Sequence, residues 1–361
     1  MALTAGYSAA GVPSLGRTSA GLVLSQRILQ NVVHNNYYAD QKGVREDYSP
    51  VDGQVVQVRI VQHEGISATS RTVGENGTTG NNTYFNANDR QQPAHNEFML
   101  DLNEVFDRVQ VIPQLMEDVV SINILNTHSQ RIEQRVRQLL NAYTMAKQIA
   151  ASLNEEASTS AGTHLLTYDD TADSIMDKFF EASLALDNGD EDNFIDAFDE
   201  NGRVAIFSNY GKKEWFKTEK SIFQAGASRA IELLEIGSAG TMQPVRTQAD
   251  GYFGELSNTP LHAAPGVILS LVDDYLDQGG TIKDNFVGLI AGAEGTARGY
   301  GVPRSIKMVD TVGGQGIELQ PLVRWGAKVL YPKSIALIFK SGFVNPAETT
   351  PLEVLGTEAV A

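Results

Sequence analysis

The chain has 361 residues, of which 42% are hydrophobic and 20% charged, a composition typical of a globular protein long enough for two domains. Its formal net charge of -16 disfavours binding to nucleic acid through phosphate neutralisation, and the lack of cysteine excludes disulfides and thiolate metal sites. No apolar run approaches the roughly 18 residues of a membrane-spanning helix, and the first twenty residues do not follow the signal-peptide pattern. We therefore expect a soluble protein.

The first fifty residues predict an arm. Residues 1–21 are rich in Ala, Gly, Ser and Thr, which indicates a mobile segment. Residues 22–33 are compatible with a short helix, and the polar stretch after them contains the aromatic pair Tyr37 and Tyr38.

A long β-hairpin is predicted next. Residues 53–62 alternate and are rich in β-branched side chains, and residues 97–106 alternate in the same way, so we expect two paired strands. The connection at 65–93 is polar and far longer than ordinary loops. It is either a disordered insertion or an arm that orders against a neighbouring subunit. Tyr84 and Phe85 favour the second interpretation, because solvated tips seldom keep adjacent aromatics.

The charges of this arm suggest how it would bind. Its basic side chains are all arginine, and no lysine occurs between Lys42 and Lys147. We expect these arginines to pair with carboxylates on a neighbouring subunit. The candidate intersubunit contacts are Arg59, Arg71, Tyr84, Phe85, Arg90, Glu104, Asp107, Glu117 and Asp118.

A long amphipathic helix is predicted at 127–153, with Thr127 or Ser129 as its cap and the polar run 155–162 as its end. It lacks proline and glycine, so it would form a rod of about 40 Å. Its apolar stripe is Ile132, Val136, Leu139, Leu140, Tyr143, Ala146, Ile149, Ala150 and Leu153.

The rest of the chain mixes both element types. Helices are predicted at 171–187, 209–217, 225–236 and 269–277, and strands at 203–208, 285–290, 305–312, 316–329 and 334–339. The apolar set of the 171–187 helix is Ile175, Phe179, Ala182, Leu184 and Leu186. Residues 251–260 read as a turn-rich link, Gly313 and Gly314 as a turn between strands, and 345–361 as a loose tail. This order predicts an α+β fold, because it lacks the regular strand–helix repeat of a doubly wound sheet.

No stretch predicts catalysis or a bound cofactor. The glycines at 295–301 and 313–316 resemble nucleotide loops, but neither stretch follows a strand and opens a helix. The acidic run 187–200 lacks the central glycine of a calcium loop, so a solvated surface is the better interpretation. His63 and His95 could face each other across the arm strands, where a solvated pair is expected rather than a metal site. We therefore predict neither an enzyme nor a metal or cofactor site.

The ordered set of elements resembles the major capsid protein of tailed bacteriophages, the Hong Kong 97 fold. The resemblance is carried by the mobile N-terminal arm, the polar hairpin at 53–106, VIPQLMEDVVSINILN at 111–126 leading into the long helix, GRVAIFSNYGKKEWF at 202–216, and GIELQPLVRWGAKVLYPKSIALI at 316–338. It implies an N-terminal arm at 1–50, an extended loop at 51–106, a peripheral domain with a spine helix at 107–165, an axial domain at 166–303, peripheral strands at 304–333, and a return strand with the C-terminal tail at 334–361.

The resemblance also implies a function. It suggests a structural subunit that assembles into hexamers and pentamers of an icosahedral shell enclosing double-stranded DNA, with scaffolding, portal and decoration proteins as candidate partners. The shell would form in the host cytoplasm and become the virion capsid. In the best-known member of this family a lysine of the extended loop forms an isopeptide cross-link, and the arm of this chain has no lysine. We therefore expect non-covalent assembly. An encapsulin-like compartment and a soluble enzyme with a mixed sheet are the alternatives.

Overall fold

The computed structural model describes residues 37–38, 42–45, 55–62, 94–107, 110–113, 124–159, 164–190, 197–199, 202–218, 251–301, 307–310, 316–320 and 322–355. The predicted helices at 22–33 and 225–236, the polar tip at 65–93 and the turn at Gly313 and Gly314 lie outside these residues.

The predicted hairpin is present, with one correction. Strands β1 (Val55–Gln62) and β2 (Ala94–Asp101) pair antiparallel, with Val55 opposite Asp101 and Gln62 opposite Ala94. The predicted second strand, 97–106, is two strands in different sheets. The chain leaves the hairpin after Asp101 and continues as β3 (Glu104–Asp107) and β4 (Gln110–Pro113). Apolar alternation continues across the break, so the sequence pattern alone did not reveal it.

The long helix α1 runs over Ile124–Thr159 and has 36 residues, about 54 Å at 1.5 Å per residue. Every residue of the predicted apolar stripe is buried, which confirms the helix and its inner face. The predicted ends are wrong. Thr127 and Ser129 lie inside the helix, so neither caps it, and the helix continues through Glu155 because Glu and Ala are good helix formers.

Strand β5 (Leu165–Tyr168) was not predicted, but helix α2 (Ile175–Asp187) was. The helix begins after Ser174, whose hydroxyl accepts a hydrogen bond from Met176 N, and Gly189 follows it with a φ of 68°. It therefore starts later than predicted because the chain offers a side-chain cap at Ser174. One apolar position was wrong, since Leu184 is 60% exposed.

The predicted strand–helix pair around residue 205 is confirmed as β6 (Val204–Ser208) and α3 (Asn209–Thr218). The link predicted at 251–260 is wrong, because β7 (Tyr252–Leu256) and β8 (Thr259–Ala264) form a tight hairpin there. Its two turn residues are Ser257 and Asn258, with φ of 48° and 59°. Positive φ at both central positions is the geometry that suits a two-residue hairpin, and a non-glycine pair hid it in the sequence.

The remaining elements are α4 (Gly266–Leu276), α5 (Thr281–Asn285), β9 (Phe286–Ala291), β10 (Thr296–Tyr300), β11 (Lys307–Asp310), β12 (Gly316–Gln320), β13 (Leu322–Val329) and β14 (Ile335–Lys340). The predicted strand 316–329 is two strands, β12 and β13, in two different sheets, and Pro321 lies between them in the sequence. Proline has no N–H for a sheet ladder, which accounts for the break. The glycine-containing stretch 295–301 is largely β10, a buried strand.

A six-stranded mixed sheet, in the order β5-β14-β9-β6-β8-β7, forms the centre of the fold. Along β6, Val204 and Ile206 join a core with α1 and α4, whereas Ala205 and Phe207 join a second core with α2 and α3. The sheet is therefore covered by helices on both faces. Two smaller antiparallel sheets have the orders β10-β13-β3 and β11-β12-β4.

The chain beyond Asn345 is packed, so the predicted loose tail is wrong as far as residue 355. Asn345 Nδ2 donates to Leu153 O at 2.9 Å, and Leu352 N donates to Asn154 Oδ1 at 2.8 Å. Leu355 N donates to the carbonyl oxygen of Tyr275 on α4. The acidic and proline-containing composition hid these contacts because they are made by backbone groups and two asparagines. Across the described residues, no helix combines the length and apolar character that a membrane span requires.

Candidate assembly elements

The base of the hairpin is fixed against the sheet of β10 and β13. Gly299 and Gly326 are register partners in that sheet. A Cβ atom at Gly326 would lie 2.0 Å from the carbonyl oxygen of Asp101, and one at Gly299 would lie 3.0 Å from Leu100 Cδ2. At Gly326 only glycine allows the hairpin strand to cross this closely, because a Cβ atom would meet backbone, whereas the side-chain tip of Leu100 near Gly299 can shift. The two glycines therefore provide a seat on which the arm is held.

Two further contacts strengthen this seat. Lys328 Nζ donates to the carbonyl oxygen of Met99 at 3.2 Å, and the side chains of Leu100 and Leu102 are each 1% exposed. The base of the β1–β2 ladder is therefore buried at Leu100 and Leu102 and is held in position by the fold.

The structure describes only some of the predicted contact residues. Arg59 is on β1 opposite Glu97 of β2, and Asp107 is on β3 opposite Leu322 of β13. Arg71, Tyr84, Phe85, Arg90, Glu117 and Asp118 lie outside the described residues. The intersubunit role of all these residues stays a prediction.

Glu104, the remaining predicted contact, is 5% exposed in the single chain. It lies on β3 opposite Trp325 of β13 and close to α1. Burial lowers the pKa of Lys147 on α1, and the charge of Glu104 opposes this effect. Burial raises the pKa of Tyr143, and Glu104 raises it further. Lys147 Nζ also lies 5.3 Å from the ring centroid of Tyr143. Glu104 is thus part of an electrostatic group within one chain, and any partner from a neighbour would have to reach this group.

Part of the predicted N-terminal arm is built into the core. Tyr37, Tyr38 and Val44 are buried, and the hydroxyl of Tyr38 donates to Gln148 Oε1 of α1 at 2.7 Å. Gln148 Nε2 in turn donates to Gly43 O at 3.0 Å. The backbone of Arg45 bridges to β10, next to Ala297. The described residues between 37 and 45 therefore fix this part of the chain to α1 and β10. The sequence did not predict these contacts, and the adjacent tyrosines were the only signal for them.

The acidic run after α2 has a structural role at two positions. Asp187 pairs with Arg203, which is 1% exposed, and Asp190 accepts a hydrogen bond from Lys333 Nζ at 3.1 Å. Asp190 itself is 2% exposed. The interpretation as a solvated surface is wrong for Asp190, which is buried against Lys333, whereas Asp187 stays partly exposed while it pairs with the buried Arg203. The pair with Lys333 ties the end of α2 to the connection between β13 and β14.

Neither a family model nor a curated protein sequence matches the chain. Solved structures do match it. The capsid of Ralstonia phage GP4 has a TM-score of 0.52 and 11% identity, covering 86% of this chain and 90% of that chain. The capsid of cyanophage P-SCSP1u has a TM-score of 0.48 and 16% identity, covering 84% and 87%. The head of Helicobacter pylori bacteriophage KHP40 has a TM-score of 0.48 and 14% identity, covering 86% and 90%. The likeness to the GP4 capsid shows that this chain has a phage capsid fold.

Proposed function

We propose that the protein is a phage major capsid protein, a structural subunit that assembles with copies of itself into an icosahedral shell. The observation that carries the proposal is the likeness to the GP4 capsid over 86% of the chain. The hairpin supports it, because its base is seated on Gly299 and Gly326 while its ladder leads to a long polar connection.

Within this proposal the subunit has the organisation of the Hong Kong 97 fold, with α1 as the spine helix of a peripheral domain and the six-stranded sheet in an axial domain. Hexamers and pentamers form the shell, and the shell encloses double-stranded DNA in the virion. The net charge of -16 suits a container that does not bind its cargo tightly along its wall. Assembly in the host cytoplasm, with scaffolding, portal and decoration proteins as partners, belongs to the same proposal.

Electron microscopy of the purified protein tests the proposal. We expect capsomers or closed shells under assembly conditions. A monomer or small closed oligomer at every concentration and salt condition would contradict it. A variant lacking residues 67–92 tests the arm. These residues are mostly polar, so the subunit should keep its thermal unfolding temperature and lose assembly. A large fall in that temperature would show that the arm stabilises its own chain instead.

We also propose that the shell is held without covalent cross-links. The arm has no lysine, and the chain has no cysteine. The guanidinium group of arginine stays charged, so it cannot replace an amine nucleophile. Particles boiled in denaturant should release only the 39.1 kDa chain. A ladder of covalent oligomers would contradict this proposal, and Lys147, whose pKa is lowered by burial, would then be the lysine to examine by peptide mass spectrometry.

A further inference from the structure

The two helices that cover one face of the six-stranded sheet present large apolar side chains to solvent. On α2, Phe180 and Leu184 are 43% and 60% exposed and lie one helical turn apart. On α3, Phe216 is 41% exposed. The helices are neighbours, since the ring centroids of Phe179 and Trp215 are 5.8 Å apart. Phe216 also packs against Phe253 of β7, at 5.9 Å between ring centroids. Exposed apolar side chains on two adjacent helices are typical of an interaction surface.

Charge distinguishes the two helices. On α2 the exposed apolar pair is accompanied by Asp177 and Glu181, both exposed. We call these four residues, Asp177, Phe180, Glu181 and Leu184, the acidic α2 face. On α3 the exposed phenylalanine is accompanied by two exposed lysines. We call Lys213, Phe216 and Lys217 the basic α3 face. Each face thus combines apolar area with charge of one sign, and the signs are opposite.

Neighbours in the same chain neutralise part of this charge. Glu181 pairs with Lys178 at 3.0 Å, and Lys217 pairs with Glu214 at 2.6 Å. Among the described residues, the structure gives Asp177 no ion-pair partner, and the same holds for Lys213. One charge on each face is therefore available to a partner molecule.

We propose that the acidic α2 face of one copy docks against the basic α3 face of the next copy. This inference rests on the proposed shell function and deepens it by naming the surfaces through which neighbouring copies meet. The two helices are neighbours on one face of the sheet, so the same α2–α3 pairing is made once per neighbour in a ring or twice across a two-fold axis.

Charge selects this pairing. A two-fold contact of α2 against α2 would bring Asp177 and Glu181 of both copies together, and like charges across an interface are repulsive. The whole chain carries a formal charge of -16, so copies repel one another at long range. The basic α3 face is where a second acidic copy is attracted, and Phe180, Leu184 and Phe216 supply the apolar area for the contact.

Charge reversal tests the contact. We would compare Asp177→Lys, Lys213→Glu and the double variant with the parent, counting shells by electron microscopy and sedimentation at fixed protein concentration and low salt. Because every copy repeats the contact, each single variant should form at least about tenfold fewer shells than the parent. The double variant restores opposite charges and should recover assembly.

Asp274→Lys is the matched control, because Asp274 is an exposed acid on α4, which covers the opposite face of the sheet. The Asp274→Lys variant should assemble as the parent does. Asp177 lies in the first turn of α2, where a lysine weakens the helix, so Leu184→Lys serves as a second α2 variant. Circular dichroism melts separate misfolding from lost assembly.

Single variants that assemble as well as the parent would overturn the contact while leaving the proposed function intact. If the single variants fold but do not assemble, and the double variant of Asp177→Lys with Lys213→Glu does not recover assembly, the α2–α3 pairing is overturned in the same way. A parent chain that never assembles contradicts the proposed function itself, and the contact with it.

Discussion

The two halves of α1 have different surroundings although the helix is continuous. Before Leu139 a single stripe is inward, with Ile132 and Val136 buried and Arg131 and Gln134 exposed. From Leu139 to Ala146 every residue is buried. The second half is enclosed by α4, by the segment around Tyr38, by the sheet strands and by the chain after Asn345. Apolar periodicity therefore predicts which face of a helix is buried, but it does not predict how many other elements pack around the helix.

The enclosed half also buries polar side chains, and these make specific bonds. Gln148 is 0% exposed and bonds both the N-terminal segment and Thr296 of β10. Ser152 Oγ donates to the carbonyl oxygen of Ile335 at 3.3 Å, and Asn154 exchanges two hydrogen bonds with the backbone of Leu352. A buried polar group without a partner is costly, so each of these side chains specifies which segment lies against the helix.

The largest expected difference between the two halves of α1 is in the loss of unfolding free energy when a carboxylate is introduced into each half. Ile149 is 0% exposed, and Ile149→Asp buries an unpaired carboxylate, so we expect a loss of several kcal/mol in the free energy of unfolding and no soluble subunit. Gln134→Asp, in the exposed part of the first half, is the control and should change the free energy by less than about 0.5 kcal/mol. Expression yield and urea unfolding measure both. A soluble, parent-like Ile149→Asp chain would refute the enclosure of the second half.

The difference between the two halves also shows which features of the fold can be predicted from the sequence. The apolar stripe of α1, the strand at β6 and the glycine after α2 follow from local patterns, and all three are present. The enclosure of the second half depends on pairs far apart in sequence, such as Tyr38 with Gln148 and Asn345 with Leu153, which local patterns do not encode. The predicted arm contacts are harder still, because the partners proposed for them belong to a second copy of the chain.

Removing the polar links of the enclosed half should have a smaller effect. Gln148→Leu keeps the volume but removes one hydrogen bond each from the Tyr38 hydroxyl, Gly43 O and the Thr296 hydroxyl. A buried group left unpaired costs about 1–3 kcal/mol, so we expect the free energy of unfolding to fall by about 2–4 kcal/mol. Gln138→Leu, in the first half, is the matched control and should stay within about 0.5 kcal/mol of the parent.

Chemical denaturation gives the size of the Gln148→Leu effect, and limited proteolysis gives its location. Cleavage before residue 45 should become faster in this variant, because the anchor at Tyr38 and Gly43 is weakened. Equal cleavage rates in the variant and the parent would show that the N-terminal segment is held by other contacts.

The smallest expected effect is a pH dependence of the free energy of unfolding, caused by His164 just beyond the end of α1. His164 N donates to Glu156 Oε1 at 2.7 Å, and burial lowers the pKa of the imidazole, with opposing effects from Glu156 and Asp190 and a further lowering by Lys333. In the unfolded chain the pKa returns to about 6.5, so as the pH falls the unfolded state takes up the proton first. The free energy of unfolding should therefore decrease as the pH falls below about 6.5 and level off below the folded-state pKa.

The His164→Gln variant should lack this contribution to the pH dependence of the free energy of unfolding. The contribution corresponds to the uptake of less than one proton per chain on unfolding. Urea unfolding of both chains between pH 5 and 8 isolates it, because the other histidines cancel in the difference. Parallel curves for parent and variant would mean that the environment of His164 does not perturb its protonation.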